Sequence, residues 1–149
     1  MNKKLIINIF IVLTLLFTLS AKAEPTADLI KTFISASENA RQPNSNEEAI
    51  AKYLAFFTDD FTDHHPTYGV SFIGKDKLRK GIINKGASMV SVVETIDNII
   101  IGTDTAVVVV NEDSKYYKNN KLKHYKGRTI LVLEFNEQGL ITQMRRYMD

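Results

Sequence analysis

Two of the chain's three histidines stand together in Asp63-His64-His65-Pro66. Histidine titrates near neutrality and moves a proton in either direction, so a histidine close to a carboxylate is a minimal unit for general acid–base work. Side chains alternate along an extended segment, which puts Asp63 and His65 on one face and His64 on the other. Pro66 ends such a segment and biases His65 toward extended geometry. Two more charged residues lie in β-branched stretches nearer the C-terminus. Alternation groups Asp113 with Asn111, Lys115 and Tyr117, and Arg146 with Met144 and Met148. If these faces meet across a cavity, His65 serves as general base or acid, Arg146 holds an anionic or carbonyl oxygen, and Asp113 orients one of them. That set suits proton transfer next to a carbonyl. The structural alternative makes Asp113 and Arg146 an inter-strand ion pair and leaves His65 as the cap of a short strand. Asp63 and His64 read as surface residues. No metal site is expected: Asp63 and His65 offer two same-face ligands, His124 lies on a distant hairpin arm, and the sequence has neither cysteine nor a His-x-x-x-His spacing.

The elements that must position these residues follow from hydrophobic period. Leu29, Ile30, Phe33 and Ile34 recur at helical spacing between Pro25 and Ala40. After the break "RQPNS", Ser45 with Glu48 forms a capping-box pattern ahead of a second helix reaching about Thr58. "FTDHH" reads as a short strand, and "KDKLRKGIINKGA" after Gly74 as a third helix with interior glycines. From Met89 β-branched residues dominate, and turns at "GTD", Asn119-Asn120 and "NEQG" divide the remainder into four antiparallel strands. The order predicts an α+β domain in which a curved antiparallel sheet wraps around the N-terminal helices as a half-open cone. Helices fill such a cone incompletely, and the space left is the default site for a small, mostly apolar ligand.

The first residues read as an export signal: Lys3 and Lys4, an apolar run over 5–19, then the small-residue pattern Ala21-Lys22-Ala23. This predicts a signal peptide over 1–23, a single domain over 24–149, and a periplasmic or secreted product with no membrane segment after cleavage. An uncleaved N-terminal anchor is the alternative. The segment holds three of the 19 Lys and Arg residues and none of the 17 Asp and Glu, so the remainder is close to neutral. No basic stripe argues for nucleic acid. The absence of cysteine excludes disulfides and a lipid-modified cysteine.

The order of elements, together with "FTDDFTDHHPTYGVSFIGKDKLRKGI" and the C-terminal "NEQGLITQMRRYMD", resembles the nuclear-transport-factor-2-like superfamily, in particular its SnoaL-like branch. The resemblance spans the mature chain and implies the cystatin-like, SnoaL-like half-barrel. It leaves function open, since that superfamily holds isomerases, cyclases, epoxide hydrolases, dehydratases and binding modules. Against the ketosteroid isomerase pattern, His65 takes the place of the aspartate base, but Phe33 replaces the oxyanion-hole tyrosine and Leu131 the protonated aspartate, so that reaction is not expected. Against the limonene epoxide hydrolase pattern, Asp113 and Lys115 fall on the Arg-x-Asp and Arg146 on the final-strand aspartate. The charges are exchanged and that arrangement is not preserved.

By the resemblance His65 points into the cone. The expected pocket is then His65, Asp113 and Arg146 as polar groups, with Phe33, Tyr68, Leu131, Met144 and Met148 as apolar lining, no cofactor, and a small apolar or carbonyl-containing molecule as partner. The outer sheet face, rich in Val, Ile and Tyr, is expected to form a sheet-to-sheet homodimer. Three functions stay open at this point: an enzyme of cofactor-free proton transfer, a ligand carrier, and a dimerisation module.

Overall fold

The computed structural model describes residues 23–148; the export signal expected over 1–23 lies, but for Ala23, outside the described residues. Helix α1 (Ala27–Ala40) begins where the Thr26 side chain accepts the Leu29 N–H at 3.1 Å, satisfying one of the free donors of the first turn. Its buried residues Ile30, Phe33, Ile34, Ser37 and Ala40 trace one helical stripe. Helix α2 (Glu47–Leu54) is capped by Asn46, whose side chain accepts from Ala49 N–H at 2.9 Å, rather than by Ser45. It also ends earlier than expected, because Phe57 already belongs to strand β1 (Phe57–His65). A Pro66–Tyr68 turn and Gly69, at φ +62°, lead into a strand the sequence did not announce, β2 (Val70–Ile73). Helix α3 (Lys75–Gly86) follows, then β3 (Met89–Ile101), β4 (Thr105–Lys118), β5 (Lys121–Phe135) and β6 (Ile141–Met148).

The six strands form one open sheet in the order β2-β1-β6-β5-β4-β3. Every neighbouring pair is antiparallel except β1 and β6, which run parallel, so the expected all-antiparallel sheet is in fact mixed. Asn119 and Asn120 both take left-handed φ, 53° and 57°, as a two-residue hairpin turn between β4 and β5 requires. The register shift in β3 between Ile96 and Asn98 is a one-residue bulge, which bends a strand and sharpens its twist, and the pairing of β1 with β6 is interrupted between Phe57 and Thr62. The bent sheet wraps α1 and α2, and the fold is the α+β cone.

The narrow end is sealed. Phe33 packs against Tyr53, Phe56 and Phe57 with ring centroids 5.5–5.8 Å apart, and Leu131, Leu133, Ile141 and Met144 close over this cluster from the sheet. Full burial of each such side chain contributes about 1.5–3 kcal/mol. Toward the wide end the inner face changes from apolar to charged.

Candidate functional site

The wide end encloses a cavity of about 780 Å³. On β1, alternation turns Phe61, Asp63 and His65 inward, and all three line the cavity. Asp63 is buried at 5 % exposure, against its expected place on the surface, because it is the joint of the site. Its Oδ1 accepts from Arg146 Nε at 2.9 Å and lies 3.3 Å from His65 Nε2. Arg146 comes from β6, where Met144 is fully buried and Arg146 is the next inward residue. Its guanidinium makes a further hydrogen bond to the hydroxyl of Tyr53, from α2. Arg146 lies deep in the fold, yet 23 % of its side chain stays accessible, through the cavity. Its pKa is raised: burial alone would lower it, but the Asp63 charge and then Tyr53 and the hydrogen bonds outweigh that.

His65 is held between this pair and the Phe72 ring of β2, whose edge-on contact has a centroid separation of 5.7 Å. Its pKa lies below the ordinary 6.5. Partial burial is the main cause, the Asp63 carboxylate opposes it, and the positive charge of Arg146 adds to it. The imidazole is therefore neutral at pH 7. A carboxylate only accepts, so the nitrogen facing Asp63 carries the proton, and Nδ1 keeps a free lone pair. This is the geometry of a base oriented by a carboxylate.

A second polar group occupies the other side of the cavity. Arg41, just past α1, pairs with Glu94 of β3 at 2.6 Å and Glu112 of β4 at 2.9 Å. Ser114 is buried and donates to Glu112 at 2.7 Å. The Glu112 pKa is lowered: burial opposes this, but Arg41 and the Ser114 hydroxyl prevail. Lys85, in the last turn of α3, lines the same cavity. Its pKa is lowered, by loss of hydration in the concave wall and then by repulsion from Arg146 and Arg41.

Of the expected polar set, His65 and Arg146 line the cavity and Asp113 does not. Asp113 points to the outer face, where it meets His124 at 2.7 Å and Lys126 at 3.0 Å and is about half exposed. The expected parity of β4 was inverted by one residue: Glu112, Ser114 and Tyr116 face inward. The ion pair expected between Asp113 and Arg146 is replaced by Asp63 and Arg146. Of the expected lining, Met148 is on the cavity wall; Phe33, Leu131 and Met144 are inside the sealed core, and Tyr68 is 63 % exposed. Tyr53 was missed. Its signal was its place in the apolar stripe of α2 beside Ile50 and Leu54, since a buried tyrosine needs a partner for its hydroxyl.

This architecture has counterparts among solved structures. A SnoaL-like protein of Shewanella denitrificans OS-217, proposed as a polyketide cyclase, superposes with a TM-score of 0.70 at 14% identity, over 82% of this chain and 88% of that one. The chain has the nuclear-transport-factor-2-like fold. A protein of Catenulispora acidiphila DSM 44928 with the ketosteroid isomerase-like variant of this fold, in complex with trimethylamine, matches with a TM-score of 0.60 at 14% identity over 77% and 83% of the two chains. A limonene-epoxide-hydrolase-like epoxide hydrolase of Mycobacterium tuberculosis matches with a TM-score of 0.61 at 16% identity over 78% and 80%. No protein-family model and no curated protein matches the sequence. At these identities the likeness carries the fold alone, and the chemistry of this nuclear-transport-factor-2-like cone has to be argued from its own side chains.

Proposed function

We propose that the protein binds a small, largely apolar, carbonyl-bearing molecule in the cone and catalyses cofactor-free proton transfer on it, with His65 as general base and acid. The observation that carries this reading is the His65 imidazole on the cavity wall, its Nε2 3.3 Å from the Asp63 carboxylate and its Nδ1 without a hydrogen-bond partner among the described residues. Arg146 and Tyr53, next to it on the same wall, supply donors for an oxygen that gains negative charge when a neighbouring carbon loses its proton. Apolar walls at Phe61, Phe72, Ile82 and Met148 favour a substrate with little polarity of its own. That neighbours of this fold include a protein in complex with trimethylamine and an epoxide hydrolase is consistent with a small-molecule site.

Two further parts of the reading rest on other features. Export is supported by the lysines, apolar run and small-residue pattern within residues 1–23. A homodimer through the outer sheet face is supported by exposed Val93, Ile100 and Tyr147.

The test is exchange of α-protons with D₂O, followed by proton NMR on 2-tetralone, an apolar ketone. The protein is expected to accelerate exchange over buffer, and His65→Ala and His65→Gln are expected to abolish the acceleration with fold retained. Because the base must be neutral and its pKa is depressed, the rate should hold as pH falls through 6.5 and decline only below it. No acceleration, or acceleration that survives in both variants, refutes the reading.

A further inference from the structure

The cavity is not neutral. Its lining contains Arg41, Lys77, Lys85, Lys118 and Arg146 against Asp63 and Glu112. Each arginine has its charge balanced by a carboxylate: Arg146 by Asp63, Arg41 by Glu94 and Glu112. The lysines do not, and among the described residues Lys85 has no ion-pair partner. It lines the same cavity as both polar groups, and neither group's carboxylates pair with it. A lysine in the last turn of a helix favours the helix dipole wherever its side chain points. That accounts for a cation on α3 but not for one that lines the same cavity as two arginines, where repulsion opposes it. An anion placed among these cations would offset the repulsion, and a hydrogen bond to a charged acceptor is stronger than to a neutral one.

We infer that the molecule taken by the cavity is an organic anion, a carboxylate carried on an apolar ring or chain, and that Lys85 is the residue that selects it. This rests on the reading of the cavity as a small-molecule site and adds its charge. The carboxylate lies at Lys85, and the apolar body runs along Leu78, Ile82, Met89 and Met148 toward His65, all of which line the same space. Lys85 sits in the last turn of α3 and His65 at the end of β1, so the anchoring charge and the reacting imidazole come from different elements. Two attachment points separated by an apolar body orient the carbon next to the imidazole, which a single contact does not.

The experiment is calorimetric titration of the full-length protein at pH 7 with matched pairs that differ only in charge: 2-naphthoate against 2-naphthamide, and decanoate against decanamide. At least one acid is expected to bind tighter than its amide by about tenfold or more. Lys85→Met keeps the length of the stem and should bring that ratio to within about twofold while the amide affinity stays put; Lys85→Gln should do the same, and Lys85→Arg should keep the preference. Amides that bind as tightly as acids overturn the inference and leave the cavity reading standing. A preference that persists in Lys85→Met and Lys85→Gln overturns the role of Lys85. Absence of binding by all four probes overturns both the inference and the reading beneath it.

Discussion

Asp63→Asn is the substitution that interrogates the site most directly, since one oxygen of this side chain serves both Arg146 and His65. Asparagine keeps the shape and removes the charge, so two effects should separate. The first is on stability. Removing one partner of a buried ion pair costs about 3–5 kcal/mol, because the other charge stays behind uncompensated. Arg146 keeps 23 % of its side-chain surface accessible through the cavity and retains Tyr53, so part of that cost is relieved by water, leaving about 2–4 kcal/mol. For a domain of this size that lowers Tm by roughly 8–16 °C. The second effect is on His65. Asp63 is what raises its pKa against burial and against Arg146, so in the variant the pKa should fall further. An amide can also donate to Nε2, which moves the ring proton to Nδ1 and removes the lone pair that Nδ1 offers. Urea unfolding measures the first effect, and ¹⁵N NMR of the imidazoles, with His65 assigned through His65→Ala, measures the second. A variant as stable as the parent to within about 0.5 kcal/mol would show that Arg146 does not depend on Asp63. A destabilised variant whose His65 neither changes tautomer nor moves its titration would show that Asp63 anchors the arginine alone, and the reading of His65 as an oriented base would be lost.

The two faces of β4 should respond in opposite ways: Asp113→Asn, on the solvent side with His124 and Lys126, should change stability by less than about 0.5 kcal/mol and leave ligand binding alone, whereas Glu112→Gln, which strips a charge from buried Arg41, should cost about 1–3 kcal/mol in urea unfolding. Equal costs would mean that the strand is inverted. At Gly127 the ring of Tyr125 lies over the Cα, where a Cβ would have to be, so Gly127→Ala should drive that ring off the strand and into the cavity. The expected cost is about 1–3 kcal/mol, with weaker binding of any cavity ligand, and Tyr125→Ala in the same chain should recover much of both; strictly additive effects would place the ring elsewhere.

How far the sequence disclosed this arrangement depended on whether its pattern had one period or two. Helix α1 was legible because Ile30, Phe33 and Ile34 can share a face only at 3.6 residues per turn, and the Asn119-Asn120 turn because two consecutive left-handed residues favour asparagine. Strand β4 was not. Its run Ala106-Val107-Val108-Val109-Val110 is apolar on both faces, so the sequence gives no sign of which parity is inside, and the polar residues that follow inherit the ambiguity. Ala106, Val108 and Val110 proved to be the core face, which carries Glu112 and Ser114 inward and Asp113 outward. Asp63 was misplaced for a different reason: an isolated carboxylate belongs at the surface, and its partner Arg146 is 83 residues away in the chain. The parallel pairing of β1 with β6 brings them together, and local pattern carries no signature of a long-range partner. Strand β2 was hidden by its brevity, four residues bounded by two glycines at positive φ.

The register explains why the cavity stays open beside so well packed a core. On the inner face five of the six strands change character within a single two-residue step: Phe61 to Asp63 on β1, Met144 to Arg146 on β6, Leu131 to Thr129 on β5, Val110 to Glu112 on β4 and Ile96 to Glu94 on β3. These steps are not level. Leu131 pairs with both Arg146 and Val108, so the polar boundary lies one inward position further toward the wide end on β5 than on β6, and two further on β4. It crosses the sheet diagonally. Collapse of the wide end onto its own walls would have to desolvate the charges at four of these five steps, and each unpaired buried charge costs more than the apolar area gained nearby returns. Pairing Arg146 with Asp63 and Arg41 with Glu94 and Glu112 balances charge along the line where it stands, without an element to cover it. The core therefore ends where the charges begin, and the volume beyond is held open with His65 at one end of the boundary and Arg41 at the other.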